Sequence, residues 1–73
     1  MVHHVYSVVA QGDGWAVQHL GKVLEVYDTP EAAAQACDRL ARLTQASGHD
    51  AEVIVKNPDG AVESDQIYRR FER

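Results

Sequence analysis

The chain changes periodicity once, at Asp28-Thr29-Pro30-Glu31, and that single change limits its architecture more than any other feature. Thr29 suits a helix N-cap, Pro30 the first helical position where its missing N–H costs nothing, and Glu31 the positive helix end. Downstream, Ala33, Ala36, Cys37, Leu40 and Leu43 recur at helical spacing. Gln35, Asp38, Arg39, Arg42 and Gln45 point outward, with Asp38 and Arg42 placed for an i,i+4 pair. Gly48 after Ser47 is a good C-terminal stop. One long helix over residues 30–47 is predicted, with an inner stripe small enough to lie close to a sheet.

Before that switch every signal is β. Val5-Tyr6-Ser7-Val8-Val9 is rich in β-branched and aromatic residues and stops at Gly12-Asp13-Gly14. In Trp15-Ala16-Val17-Gln18-His19-Leu20, Trp15 and Val17 face one way and Gln18 the other, until Gly21-Lys22 offers a tight reversal. Val23 to Tyr27 then puts Leu24 and Val26 on one face, Glu25 and Tyr27 on the opposite one. After the helix, Ala51 to Lys56 reads as a fourth strand, ended by the turn residues Asn57-Pro58-Asp59-Gly60. Beyond Gly60 two readings stay open. Ala61-Val62-Glu63 returns as a short strand, or Ser64-Asp65-Gln66 caps a short helix carrying Ile67, Tyr68 and Phe71, with residues 64–73 a helical or flexible tail.

These signals predict strands near residues 5–10, 15–20, 23–27 and 51–56 in a single small α+β domain spanning residues 1–73. The architecture is a two-layer βββαβ sandwich. Its mostly antiparallel four-stranded sheet has the order 3-2-1-4, the fourth strand lies parallel to the first, and the helix covers one face. The expected core is Trp15, Val17, Leu24, Val26, Leu40, Leu43, Val53 and Val55, with Cys37 beneath the helix. Whether Tyr6 and Val8 or Ser7 and Val9 face that core is left open, because the first strand is apolar on both sides.

At 73 residues, a chain can bury only about 60% of its unfolded surface, so marginal stability or a dimer is expected. The lone cysteine excludes a disulfide framework and a multi-cysteine zinc site. No run reaches the roughly 18 apolar residues of a membrane span, and the start Met1-Val2-His3-His4 lacks the basic and apolar regions of a signal peptide, so a cytoplasmic location is expected. A net charge of −4 argues against a broad grip on phosphate backbones or anionic lipid. The end is locally basic, with Arg69, Arg70 and Arg73 against Glu72.

The ordered set Tyr6-Ser7-Val8-Val9, Gly14-Trp15-Ala16-Val17, Asp28-Thr29-Pro30-Glu31-Ala32, Val53-Ile54-Val55 and Asp59-Gly60 resembles a family of short bacterial proteins of unknown function. The resemblance covers roughly residues 5–68 and brings no activity with it. Where that family usually has an aliphatic-His step in the fourth strand, this chain has Val55-Lys56. Gly14-Trp15-Ala16-Val17, Gly21-Lys22 and Asp28 to Ala33 are also similar to the arm-type DNA-binding domain of phage integrases, which implies a three-stranded sheet entering the major groove. Such a sheet needs basic side chains on its open face, whereas this one offers Gln18, Glu25 and Tyr27, and Glu25 repels phosphate.

Candidate chemical residues read as structural. His3 and His4 are adjacent, so they point to opposite faces of a strand with no third ligand placed by spacing. His19 faces the core or bonds at the strand end, and His49 sits in a loop. Cys37 lies on the apolar stripe as a small hydrophobe, and Gly12-Asp13-Gly14 lacks the partners of a phosphate or calcium loop. No catalytic residue, metal, cofactor or small-molecule substrate is expected. The favoured function is a non-enzymatic interaction module that binds protein, or a second copy of itself, through the open sheet face. Its candidate contacts are Gln18, Tyr27 and Ile54 with Ser7 or Tyr6, and Tyr68 and Phe71 in the tail. The alternative is a nucleic-acid accessory protein using Arg69, Arg70 and Arg73.

Overall fold

In the computed structural model, which describes residues 3–70, one helix packs on one face of a mixed five-stranded sheet. The elements run β1 (His3–Gln11), β2 (Gly14–His19), β3 (Lys22–Tyr27), α1 (Pro30–Ala46), β4 (Asp50–Lys56) and β5 (Val62–Tyr68). The spatial order is β3-β2-β1-β4-β5; β1 and β4 are parallel and the remaining pairs antiparallel. The expected fold class and the order of its four strands hold. The segment after Gly60 completes a hairpin with β4 rather than a helix. Asn57 sets that hairpin: its side-chain oxygen accepts from the amides of Asp59 and Ala61, both at 3.0 Å. Phe71 and Arg73 lie outside the described residues.

The helix starts where its capping residues put it. The Thr29 hydroxyl accepts from the Ala32 amide at 3.1 Å, Pro30 opens the first turn, and Asp38 pairs with Arg42 at 3.1 Å. Ala33, Ala36, Cys37 and Ala41 are buried, and α1 lies over β1, β4 and β2, reaching the edge strands least. Opposite it, Tyr6, Val8, Val17, Ala51 and Val53 complete the core, which settles the first strand: Tyr6 and Val8 face the helix, Ser7 and Val9 the other side. The largest fully buried side chains are Val8, Val17 and Cys37, so this is a thin core built from small residues.

Three residues expected in that core are elsewhere: Leu24 is 45% exposed, Val26 53% and Leu43 65%. For Leu24 and Val26 the cause is one β-bulge. The reversal into β3 uses Leu20 and Gly21, both at positive φ (54° and 80°), not Gly21 and Lys22, so His19 pairs with Lys22. A regular ladder from that turn would set Val17 opposite Leu24. The bulge between Val17 and Gln18 instead sets Val17 opposite Glu25, Ala16 opposite Val26 and Trp15 opposite Tyr27. One extra residue, Leu24, is left without a partner, and the faces of Glu25, Val26 and Tyr27 are exchanged. Leu43 is displaced because the buried line runs through Cys37, Ala41 and Thr44, leaving it beside the overhang of β3. Trp15, Leu40 and Val55 are half-buried at the core margin.

Candidate functional site

The face of the sheet opposite α1 is covered by nothing among the described residues. The registers place Ser7 beside Gln18 and Ile54, Val5 beside Glu52, and Val9 beside Ala16, so β1 runs down its middle. Val26 and Val23 extend it at one edge and Ile67 and Val62 at the other, each between 42% and 58% exposed. Gln18 and Ile54 thus lie on this face as expected, with Ser7 as the first-strand contributor.

Tyr27, expected there, is on the helix side, because the bulge that moved Val26 outward carried it inward. It lines a groove of about 190 Å³ with Glu25, Ala36, Arg39, Leu40 and Leu43. Burial and the neighbouring Glu25 carboxylate hold its hydroxyl above the usual phenol range. Tyr68 is also turned to the helix side, since it pairs with Ala51, and its hydroxyl donates to the Asp38 carboxylate. That hydrogen bond raises the Tyr68 phenol, with burial adding to it. Of the two expected tail contacts, Tyr68 is therefore turned away from the open face and Phe71 is outside the described residues; Ile67, paired with Glu52, is on that face.

Polar groups on the open face gather at the β1, β4 and β5 end. His3 Nε2 lies 3.2 Å from Glu52 Oε1, and Glu52 also shares a hydrogen bond with Asp65. Sharing that bond pushes the Asp65 carboxyl up from its ordinary value, while bonds from Asp65 and then His3 pull Glu52 down. The basic end is fastened by its backbone: the Arg70 amide donates to Asp50 Oδ1 at 2.8 Å, and Gln45 donates to the Arg69 carbonyl at 2.7 Å. The Arg70 backbone contact, with the charges of Arg70, Arg69 and His3 behind it, lowers the Asp50 carboxyl.

A second cluster lies on the helix side, and reading the sequence residue by residue missed it. His4 Nδ1 and His19 Nε2 are 2.9 Å apart, the Tyr6 ring stacks on His19 at 4.8 Å, and the His49 ring stands edge-on to His4 at 5.6 Å. The Tyr6 hydroxyl hydrogen-bonds the Thr44 hydroxyl at 2.7 Å, and Thr44 donates to the Leu40 carbonyl. The first turn was signal enough: Gly12-Asp13 pairs Gln11 with Gly14 and, counted outward, Tyr6 with His19. Among the described residues, no three His, Cys, Asp or Glu side chains are arranged to hold a metal ion. Cys37 is buried, which pushes its thiol up to about 11.

Residues 4–68 match the model of a family described as "Uncharacterized protein conserved in bacteria (DUF2188)". The chain belongs to that family. The match spans every element from β1 to β5, in line with the resemblance carried by the glycine-tryptophan hairpin, the helix start and the Asp59-Gly60 turn. No curated protein and no solved structure matches the chain. No helix among the described residues is long and apolar enough to cross a membrane.

Proposed function

We propose that this DUF2188 protein is a non-enzymatic interaction module that self-associates through the open face of its sheet. The observation that carries the reading is a sheet face with no second layer over it among the described residues, on which Val5, Val9, Ile54, Val26 and Ile67 stand beside Ser7, Gln18 and one charged cluster. An antiparallel sheet face meant for water alternates to polar residues; Val5, Val9, Ile54, Val26 and Ile67 do not. Five strands spaced about 4.8 Å apart and about 20 Å long give a footprint of roughly 500 Å². Two such faces bury about 1,000 Å², the lower bound for a specific interface, so a dissociable dimer is the occupant that fits.

An enzymatic role finds little support. The grooves beside α1 are shallow, and the charged groups of the open face, His3, Glu52 and Asp65, hydrogen-bond one another.

Sedimentation equilibrium tests the proposal. The wild-type chain is expected to show a reversible monomer–dimer equilibrium, and Ser7→Arg, which sets a charge at the centre of the face without removing core volume, is expected to abolish it. A chain monomeric at all accessible concentrations, or a dimer indifferent to Ser7→Arg, refutes the reading. Binding to duplex DNA that weakens steeply with salt would favour the alternative, contact through the basic end.

A further inference from the structure

The His4–His19 contact has a geometry that allows one proton between the rings and no more. Their planes are 22° apart with centroids at 5.1 Å, close to the separation of two imidazoles meeting edge to edge in a common plane. At 2.9 Å, one nitrogen must donate and the other accept. Two N–H groups cannot occupy that gap. A singly protonated pair keeps its hydrogen bond, now charge-assisted, and gains from the Tyr6 ring stacked on His19. A doubly protonated pair must come apart.

Among the described residues, no carboxylate is paired with either imidazole to offset that second charge. From β1 the pair meets Tyr6, with His3 on the opposite face of the strand; from β3, Lys22 stands in register with His19. The α1–β4 connection contributes His49, and α1 contributes the uncharged Thr44 through Tyr6. From β4, Asp50 stands in register with His3, on the other face, and accepts from the Arg70 amide. Burial, then the positive fields of His19, His49 and His3, hold His4 below the ordinary histidine value.

We propose that His4 and His19 form a proton-sharing pair that works as an acid-sensitive latch, admitting one proton and releasing the β1–β2 end of the sheet when a second binds. The release reaches the helix along a continuous path. His19 supports the Tyr6 ring, the Tyr6 hydroxyl bonds Thr44, and Thr44 lies on the buried line of α1. This latch is independent of the open face, because both imidazoles are on the helix side.

Two measurements test it. In uniformly ¹⁵N-labelled protein at neutral pH, a scalar coupling across the hydrogen bond is expected between His4 Nδ1 and His19 Nε2, disappearing on acidification. Its absence at neutral pH overturns the proposal. In urea unfolding, two unfolded imidazoles bind two protons in acid where the folded pair binds one. The unfolding constant therefore rises by about tenfold per pH unit below the ordinary histidine range. His19→Gln keeps an acceptor for a protonated His4, so the pair's contribution to that slope is expected to vanish. An unchanged slope in His19→Gln also overturns the latch, and neither result bears on self-association.

Discussion

The β-bulge between Val17 and Gln18 decides which residues of β3 stabilise the fold, and Val8→Ala compared with Val26→Ala measures its effect. Val8 is fully buried between sheet and helix. Removing two methyl groups loses about 0.8 kcal/mol each in transfer free energy. If the roughly 50 Å³ left behind stays empty, about 24 cal/mol per Å³ adds about 1.2 kcal/mol, for a total of about 2–3 kcal/mol. A chain this small has only about 4–10 kcal/mol in all. Val26 is 53% exposed, so the same truncation there forfeits about half of the transfer term and leaves no closed cavity. With a urea slope of about 1 kcal/mol/M, the midpoint should fall by about 2–3 M for Val8→Ala and by less than about 1 M for Val26→Ala. Trp15, half-buried against the core, is the fluorescent reporter. Measuring at two protein concentrations separates lost association from lost packing. Equal shifts for the two variants at low concentration would show that β3 keeps the regular register and that Val26 is a core residue.

Leu20 holds positive φ in an exposed turn, a conformation Asn adopts more readily, so Leu20→Asn should raise stability by about 0.5–1 kcal/mol in the same assay; a loss would mean that the Leu20 side chain is needed. Cys37, with its thiol pushed up to about 11 by burial, should not react with an aromatic disulfide reagent at pH 8 until the chain unfolds; labelling of the native protein as fast as that of a free thiol would contradict the packing. Asp65 has its carboxyl raised by Glu52, so the folded state binds that proton more tightly than the unfolded one. Stability from this group is full below the ordinary Asp value and is lost as pH rises through the raised one, so Asp65→Asn should stabilise the protein at pH 7 and leave it unchanged near pH 3. Destabilisation at pH 7 would refute the shared hydrogen bond.

What could be read from the sequence was whatever local chemistry decides. The Thr29-Pro30-Glu31 start, the Gly48 stop and the Asp38–Arg42 pair depend on neighbours within a turn of helix, and each stands where expected. The strand order followed from the same logic, one hairpin and one crossover at a time. Faces are different, because a face is set by register, and register across β2 and β3 depends on a bulge that leaves no residue-type signal in Val17-Gln18. Val26 and Tyr27 changed sides, and Leu24 lost its partner, for that one reason. β5 was ambiguous for the opposite reason. Val62-Glu63-Ser64-Asp65-Gln66 has little β propensity of its own and is a strand because β4 offers it an edge after a tight Asn57 turn. The His4–His19 pair was hidden because each histidine, taken singly, has an ordinary structural role.

The thin core and the uncovered face bear on one quantity. On the helix side no fully buried side chain is larger than valine or cysteine, so hydrophobic burial there is modest for a five-stranded sheet. On the other side, Val5, Val9 and Ile54 are only half-shielded by their neighbours. Pairing two open faces would finish burying them, and the stabilisation gained would depend on protein concentration in a way that no intramolecular contact does. For a dimer unfolding to two chains, each tenfold rise in concentration adds about 1.4 kcal/mol per dimer, enough to move a thermal midpoint by several degrees in a domain of this size. Thermal unfolding followed by Trp15 fluorescence from about 1 to 100 µM should therefore show a midpoint climbing with concentration in the wild type and flat in Ser7→Arg. If the midpoint is flat in both, the domain is stable on its helix-side core alone, and the open face contributes nothing to holding the protein together.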